Sequence, residues 1–346
     1  MKSTISNLVG GRLPLALFVV WSVLALISVP IGPVDAAVVQ LRAGTSDVKG
    51  TTLSDGMDKL AELVKQKSNG TLVITNFYRA LGVEQQLTQS VMSGGVDIGM
   101  CSNGNAGRFT DAFVPFDLPF LFKTHAAGLK AFDSSVGRTA VEKFEKDTGL
   151  KLLFVESQGA GRDIQTRAKA LRVPADIKGL KIRVVSTPAD LATFKAWGAN
   201  PTPIDWGQTY TALQQGVVDG LQLVPDIIAP AKIHEVVKYN LRLNYQMVVQ
   251  LIFINGKKFA SLSPEHQKAL MDAAEEAKVW QRNNGASRIA KVVEDLANVH
   301  GMKVYEPTPA EYAEWAAVRE KVWEDVSAQM PGKVDLSLAK RLYESQ

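Results

Sequence analysis

Apolar and polar positions along the chain follow two alternating periods. Val38–Ala43 alternates as a short strand does. In Thr52–Gln66 the residues Leu53, Met57, Leu60, Leu63 and Val64 recur at helical spacing, and Ser68-Asn69-Gly70 closes that helix with a turn. Thr71–Phe77 reads as a strand, Gln85–Met92 as a helix broken by Gly94-Gly95, and Val96–Met100 as a buried strand. This order predicts crossover connections and a mostly parallel sheet. The alternation then returns. Leu150–Glu156 and Leu180–Val185 read as strands, Pro188–Trp197 as a helix, and Asn200–Pro203 as a short strand; helix Thr209–Gln215 and strand Val217–Leu223 follow. A second α/β unit therefore follows the first, with no residue-by-residue repeat between them. Ser263 as N-cap, Pro264 at the first helical position and Glu265 in the first turn open a helix that runs to about His300. Unbroken it would be roughly 55 Å long, so it either bridges two domains or is cut at its weak point, Asn284-Gly285. Tyr312, Trp315, Val318, Val322, Trp323 and Val326 mark one C-terminal amphipathic helix whose aromatic stripe belongs to a core.

The first 36 residues follow neither period. Lys2 and Arg12 flank a short polar stretch, an apolar run extends from Leu13 to Val29, and Pro30, Gly32 and Pro33 follow. Val34-Asp35-Ala36 offers small residues for a cut before Ala37. The order predicts a secretory signal peptide over residues 1–36 and export to the periplasm. An uncleaved anchor is the rival, since 17 residues reach the lower limit for spanning, but Pro14 and the small-residue site fit cleavage better.

Composition narrows the class. The chain has 346 residues, 46% of them hydrophobic and 21% charged, which is ordinary for a globular protein. A net charge of +4, with no Lys/Arg clusters, leaves no footprint for nucleic acid. Cys101, the single cysteine, excludes a disulfide framework and a cysteine-based zinc cluster. It follows a buried strand and reads as a quiet core thiol rather than a nucleophile. His125, His234, His266 and His300 fall at no metal-ligand spacing, so neither a metal nor a cofactor is expected. The sequence contains no GxSxG elbow and no phosphate-cradling GxxxxGK[ST]. Gly159-Ala160-Gly161 starts like a dinucleotide loop but lacks the third glycine. Catalytic groups can still assemble in space, so this lowers the case for an enzyme without closing it.

The densest signal lies between Gly159 and Pro225. Arg183 sits in the short apolar strand Leu180–Val185, with Ile182 and Val184 on the opposite face. An arginine there can lie beside the crevice where doubly wound sheets bind ligands, and its planar fork matches a carboxylate. It can equally hold a structural ion pair.

Gly179-Leu180-Lys181-Ile182-Arg183, Gly198-Ala199-Asn200-Pro201-Thr202-Pro203 and the run Tyr210 to Gly220 (YxALQxGVVDG) occur in that order. Leu81-Gly82, Ser93 to Gly99 and Asp117 to Phe122 add further blocks. Together they resemble the DctP-like solute-binding receptors of TRAP (tripartite ATP-independent periplasmic) transporters, over nearly the whole chain after residue 36. The resemblance implies an α/β, two-domain periplasmic-binding-protein fold with a hinge, mixed sheets and a long bridging helix. On that reading residues 37–160 with about 249–287 form domain I, and 161–248 with about 288–346 form domain II. It also implies capture of a small organic acid by hinge closure and delivery to TRAP membrane permease subunits, without enzymatic activity.

Within that resemblance Arg183 takes the carboxylate-pairing role. Arg162 matches a second family arginine with one residue inserted between the two. Ser186 follows the arginine strand, Trp206 stands where an aromatic wall is usual, and Tyr210 holds the motif tyrosine or is helix core. After Asp219-Gly220 the chain continues Leu221-Gln222-Leu223, where relatives often carry a ligand-binding asparagine before a proline. Gln222 and Leu223 thus become wall candidates. The exchange of an amide for aliphatic surface favours a monocarboxylate with an apolar or aromatic body; a C4-dicarboxylate or a sugar acid is the alternative. Asn103 and Asn105 follow strand Val96–Met100 and are ligand amides or turn residues. Glu84 and Gln85 open a helix near the same rim. A sensory receptor and a periplasmic enzyme are the readings outside transport.

Overall fold

The computed structural model describes residues 37–346, so the expected signal peptide lies outside the described residues. Eleven strands form two sheets among these residues. The first is built from β1 (Val39–Thr45), β2 (Leu72–Tyr78), β3 (Ile98–Ser102), β4 (Leu150–Ser157) and β10 (Val249–Asn255), in the order β2-β1-β3-β10-β4. The second holds β5 (Arg162–Thr166), β6 (Lys181–Val184), β7 (Asn200–Pro203), β8 (Gly220–Leu223), β9 (Tyr239–Gln246) and β11 (Lys303–Tyr305), in the order β11-β9-β5-β8-β6-β7. Crossover helices make β1 parallel to β2 and β3, and β6 parallel to β7 and β8. β10 runs antiparallel to both β3 and β4, and β5 antiparallel to both β8 and β9. The sheets are therefore mixed, because one strand in each, β10 in the first and β5 in the second, runs against its neighbours.

The helices that shape the site are α1 (Thr52–Lys67), α2 (Glu84–Ser93), α3 (Pro188–Ala196), α4 (Trp206–Gln214) and α5 (Pro264–Asn298). Thr51 caps α1, its hydroxyl accepting from Ser54 N at 3.1 Å while the Ser54 hydroxyl accepts from Thr51 N. Leu53, Met57, Leu60 and Val64 are buried against Leu41, Ile74 and Ile252 of the first sheet. The second sheet has its own core, in which Ile182 and Val184 meet Phe194, Trp197 and Trp315. The rings of Trp197 and Trp315 cross edge to face at 5.0 Å.

The chain passes from one sheet to the other three times: through 158–161, through Met247-Val248, and along α5. Ser263 caps α5 through His266 N at 3.2 Å, and the helix runs 35 residues, about 52 Å, without a break at Gly285. That glycine has a packing reason instead of a helix-breaking one. A methyl on Gly159, whose φ is +77°, would stand 2.6 Å from Gly285 O, so the two backbones touch where the chain first crosses. Beside them the Gln281 amide accepts from Ser157 N at 2.9 Å and donates back to Ser157 O at 2.5 Å.

The single C-terminal helix read from the stripe is two helices, Pro309–Ala316 and Arg319–Gln329. The bend lets Trp315 enter the second core while Val322, Trp323 and Val326 pack with Phe113, Phe144 and Ala189. Trp323 Nε1 donates to Pro119 O at 2.8 Å.

Candidate functional site

Arg183 stands on β6 with its side chain almost fully buried, 4% exposed. Burial, and after it the neighbouring Arg162 charge, pull its guanidinium down to about 10, well below the usual range. Its Nε donates to Ile204 O at 2.9 Å, and its guanidinium carbon lies 5.8 Å from the centre of the Trp206 ring. No carboxylate pairs with it among the described residues.

Arg162, on neighbouring β5, is treated differently. Its Nη1 reaches both oxygens of Asp190 at 3.1 and 3.2 Å and also donates to Gln246 Oε1 at 2.8 Å. Asp190 is fully buried on α3 and takes Gln222 Nε2 at 3.1 Å as well. Two buried cations thus stand close together, one neutralised and one not.

Around Arg183 both sheets line a cleft of about 560 Å³, its open mouth included. The second sheet contributes Arg162, Val185, Trp206, Gln222 and Leu223. The first contributes Ser46 and Asp47 beyond the end of β1, Ser102 at the end of β3 and Asn105 beyond it, Gln250 of β10, and Glu84 at the start of α2. Glu84 Oε2 is a hub: it accepts from Ser102 N at 3.0 Å, Ser102 Oγ at 2.9 Å and Asn105 Nδ2 at 2.5 Å. Its Oε1 takes Gln250 Nε2 at 3.3 Å. Asp47 is buried, which pushes its carboxyl up to about 7.

Two amide oxygens in this wall lack partners, Gln222 Oε1 and Gln250 Oε1. Each amide is oriented by its NH2, which faces a carboxylate that can only accept. Each oxygen is left buried without a donor in residues that line the cleft.

The rims lie close across the cleft. A methyl on Gly207 of α4 would lie 3.8 Å from Val83 Cγ1, and one on Gly104 would lie 3.1 Å from Thr187 Cγ2. Farther along, Asp226 accepts from the N–H and hydroxyl of Thr52, at 2.7 and 2.9 Å.

The structure thus brings Arg183, Arg162, Asn105, Trp206, Gln222 and Leu223 together, and Ser186 lies just outside this group in an adjoining space. Two of the residues named from the sequence lie elsewhere. The Tyr210 hydroxyl donates to Glu235 Oε2 at 2.7 Å, with the ring packed beside Leu213 and Val218: it shares a helix face with Trp206 but stands one turn farther along α4, beyond the cleft. Asn103 is buried and structural: its Oδ1 accepts from Val249 N at 3.1 Å and its Nδ2 faces Asp117. Cys101 lies in the core, where burial raises its thiol far above the usual range. Ser46, Asp47, Ser102 and Gln250 were not singled out from the sequence. For the first three the available signal is position just past a strand's carboxyl end, where α/β sheets bind ligands. Gln250 gives none, because β10 joins the sheet from far along the chain. Among the described residues no cluster of three or more His, Cys, Asp or Glu is placed to hold a metal ion, and no helix is long and apolar enough to cross a membrane.

The chain is similar to the 2,3-diketo-L-gulonate-binding periplasmic protein YiaO of Escherichia coli K12, at 32% identity over 69% of this chain and 72% of that one. It is 24% identical to the C4-dicarboxylate-binding periplasmic protein DctP of Rhodobacter capsulatus, over 81% of this chain and 84% of the other. A crystal structure of a TRAP periplasmic solute-binding protein from Roseobacter denitrificans, with bound β-D-glucuronate, superposes with a TM-score of 0.81 at 26% identity, covering 89% of this chain and 99% of that one. The family model for bacterial extracellular solute-binding proteins, family 7 (DctP), matches residues 43–329, and the chain belongs to that family of TRAP solute-binding receptors.

Proposed function

We propose that this receptor works in the periplasm, captures a sugar acid between its two sheets and presents it to TRAP membrane permease subunits. The observation that carries the reading is Arg183, a buried guanidinium whose Nε has one backbone carbonyl as partner and whose Nη edge is free, in a cleft lined from both sides. A carboxylate supplies what that group lacks, two charge-assisted hydrogen bonds and a counter-charge. Ligand contact with both sheets favours the closed form over the open one, with the backbone contact of Gly159 and Gly285 as pivot. The lobes are then 37–160 with about 249–287, and 161–248 with about 288–346, the last helices packing on both.

Leu223 argues for a ligand with an apolar body, but the rest of the wall outweighs it. The orphan oxygens of Gln222 and Gln250 favour a body rich in hydroxyl donors, and Glu84 and Asp47 offer further acceptors. Relatives named for diketogulonate and crystallised with glucuronate support the same class. Trp206 then supplies a face for a sugar ring. Residues 1–36 are proposed as the signal peptide that directs export.

A thermal-shift panel tests the reading with aldonates, keto-aldonates, uronates, succinate, malate, and branched and aromatic monocarboxylates. Sugar acids are expected to raise the melting temperature by several degrees. Stabilisation by succinate and malate alone, or by the apolar acids alone, overturns the ligand class.

A further inference from the structure

Free space continues past Arg183. A second chamber of about 790 Å³, open mouth included, adjoins the inner cleft, and both are walled by Glu84, Asn105, Arg183, Val185 and Trp206. Beyond that shared wall the outer chamber is lined by Gln85, Arg108, Ser186, Asp205 and Gln208. The outer chamber is present with the rims this close, since Val83 belongs to its lining and a methyl on Gly207 across the cleft would come within 3.8 Å of it.

The chemistry of this outer wall differs from that of an anion pocket. Arg108 donates to Gln85 Oε1 at 2.8 Å and makes no ion pair among the described residues, while Asp205 brings an opposite charge to the same chamber. Donors and acceptors are interleaved at the edge of one aromatic face, Trp206. Such a mixture suits a neutral polyhydroxylated ring, whose hydroxyls both donate and accept, better than a second carboxylate. A single-unit acid seated on Arg183 leaves most of this wall in contact with water alone.

We infer that the outer chamber is a second sugar subsite and that the receptor takes acidic saccharides of two units. The acid unit sits in the inner cleft on Arg183, and a neutral sugar unit extends past Trp206 to Arg108 and Gln208. This rests on the sugar-acid reading above, and the test separates the two.

Isothermal titration of the full mature chain compares gluconate and glucuronate, as one-unit acids, with cellobionate and lactobionate, which add a neutral hexose to gluconate. At least one bionate is expected to bind tenfold or more tighter than gluconate. Arg108→Ala and Gln208→Ala, both at exposed positions, are expected to remove most of that margin while costing gluconate far less. Binding of gluconate or glucuronate with no gain for either bionate overturns the subsite and leaves a receptor for one-unit acids. A margin untouched by both substitutions also overturns it. If none of the four acids binds, the sugar-acid reading falls and the subsite falls with it.

Discussion

Replacing Arg183 with methionine separates a ligand anchor from a structural ion pair, because the two roles move stability in opposite directions. The lowering of its guanidinium to about 10 corresponds to about 3 kcal/mol of unfavourable surroundings for the charge. The Ile204 carbonyl offsets part of this, since one such bond contributes about 1–3 kcal/mol. Methionine keeps most of the volume and removes the stranded charge, which is often neutral or stabilising at a buried site. We expect the ligand-free Arg183→Met protein to melt no lower than wild type and up to about 6 °C higher, at about 2–4 °C per kcal/mol for a chain of this order of size. Its affinity moves the other way. A ligand carboxylate left buried without its partner costs about 3–5 kcal/mol, which weakens binding by between about 150-fold and 5,000-fold. Arg183→Lys retains a charge but loses the two-edged fork, and is expected to fail nearly as badly. Differential scanning calorimetry of the ligand-free proteins and titration with a sugar acid read the two effects. A ligand-free melting temperature several degrees below wild type would make Arg183 a structural residue, and an affinity within threefold of wild type would end its assignment as anchor.

Asp190→Asn leaves Arg162 buried without its counter-charge and is expected to destabilise the protein by about 3–5 kcal/mol, seen as a lower urea midpoint; an unchanged midpoint would contradict the neutralising role. Gly159→Ala places a methyl 2.6 Å from Gly285 O at a left-handed φ and should lower the melting temperature by several degrees, whereas Gly285→Ala meets Gly159 N at 3.5 Å and should be tolerated. The reverse order of the two variants would remove the pivot packing. Asp47 has its pKa raised to about 7 chiefly by burial, so its contribution to stability is full below about pH 4 and is lost as pH rises through about 7, by at most about 4 kcal/mol. Asp47→Asn should flatten this part of the decline between about pH 4 and pH 7 in urea titrations, and an identical slope in wild type and variant would refute it.

Local pattern sufficed where an element carries its own signal. Leu53, Met57, Leu60 and Val64 define α1, and Ser263-Pro264-Glu265 opens α5 at the residue where the helix begins. Pattern could not assign β9 and β10, which sit only two residues apart in the chain yet belong to different sheets. Nothing local at Met247-Val248 says that the chain changes layers there. The same limit explains the sheets: crossover order gives their parallel pairs, while β10 enters between β3 and β4 from about a hundred residues away. At Gly285 the sequence points to a weak spot, and the reason for the glycine lies 126 residues earlier, at Gly159.

The site shows this most clearly in its two arginines. By residue type and strand position Arg162 and Arg183 are equivalent, and an acid with two carboxylates would seem to have two anchors. Asp190 distinguishes them. It faces Arg162 from α3, capped in place by Thr187, whose hydroxyl accepts from Asp190 N at 3.1 Å. One guanidinium is thereby neutralised, and the inner wall presents one uncompensated cation. Across the cleft the hub is a carboxylate, Glu84, and not another cation. An acid with one carboxylate and a chain of hydroxyls meets a counter-charge at one end and acceptors at the other. A C4-dicarboxylate would bring its second charge toward Glu84 with no free cation in the inner wall to receive it, a like-charge approach that costs free energy in a drying cleft. On the proposed sugar-acid reading, selection against a C4-dicarboxylate would therefore turn on an aspartate that touches the other arginine and leaves the proposed anchor free.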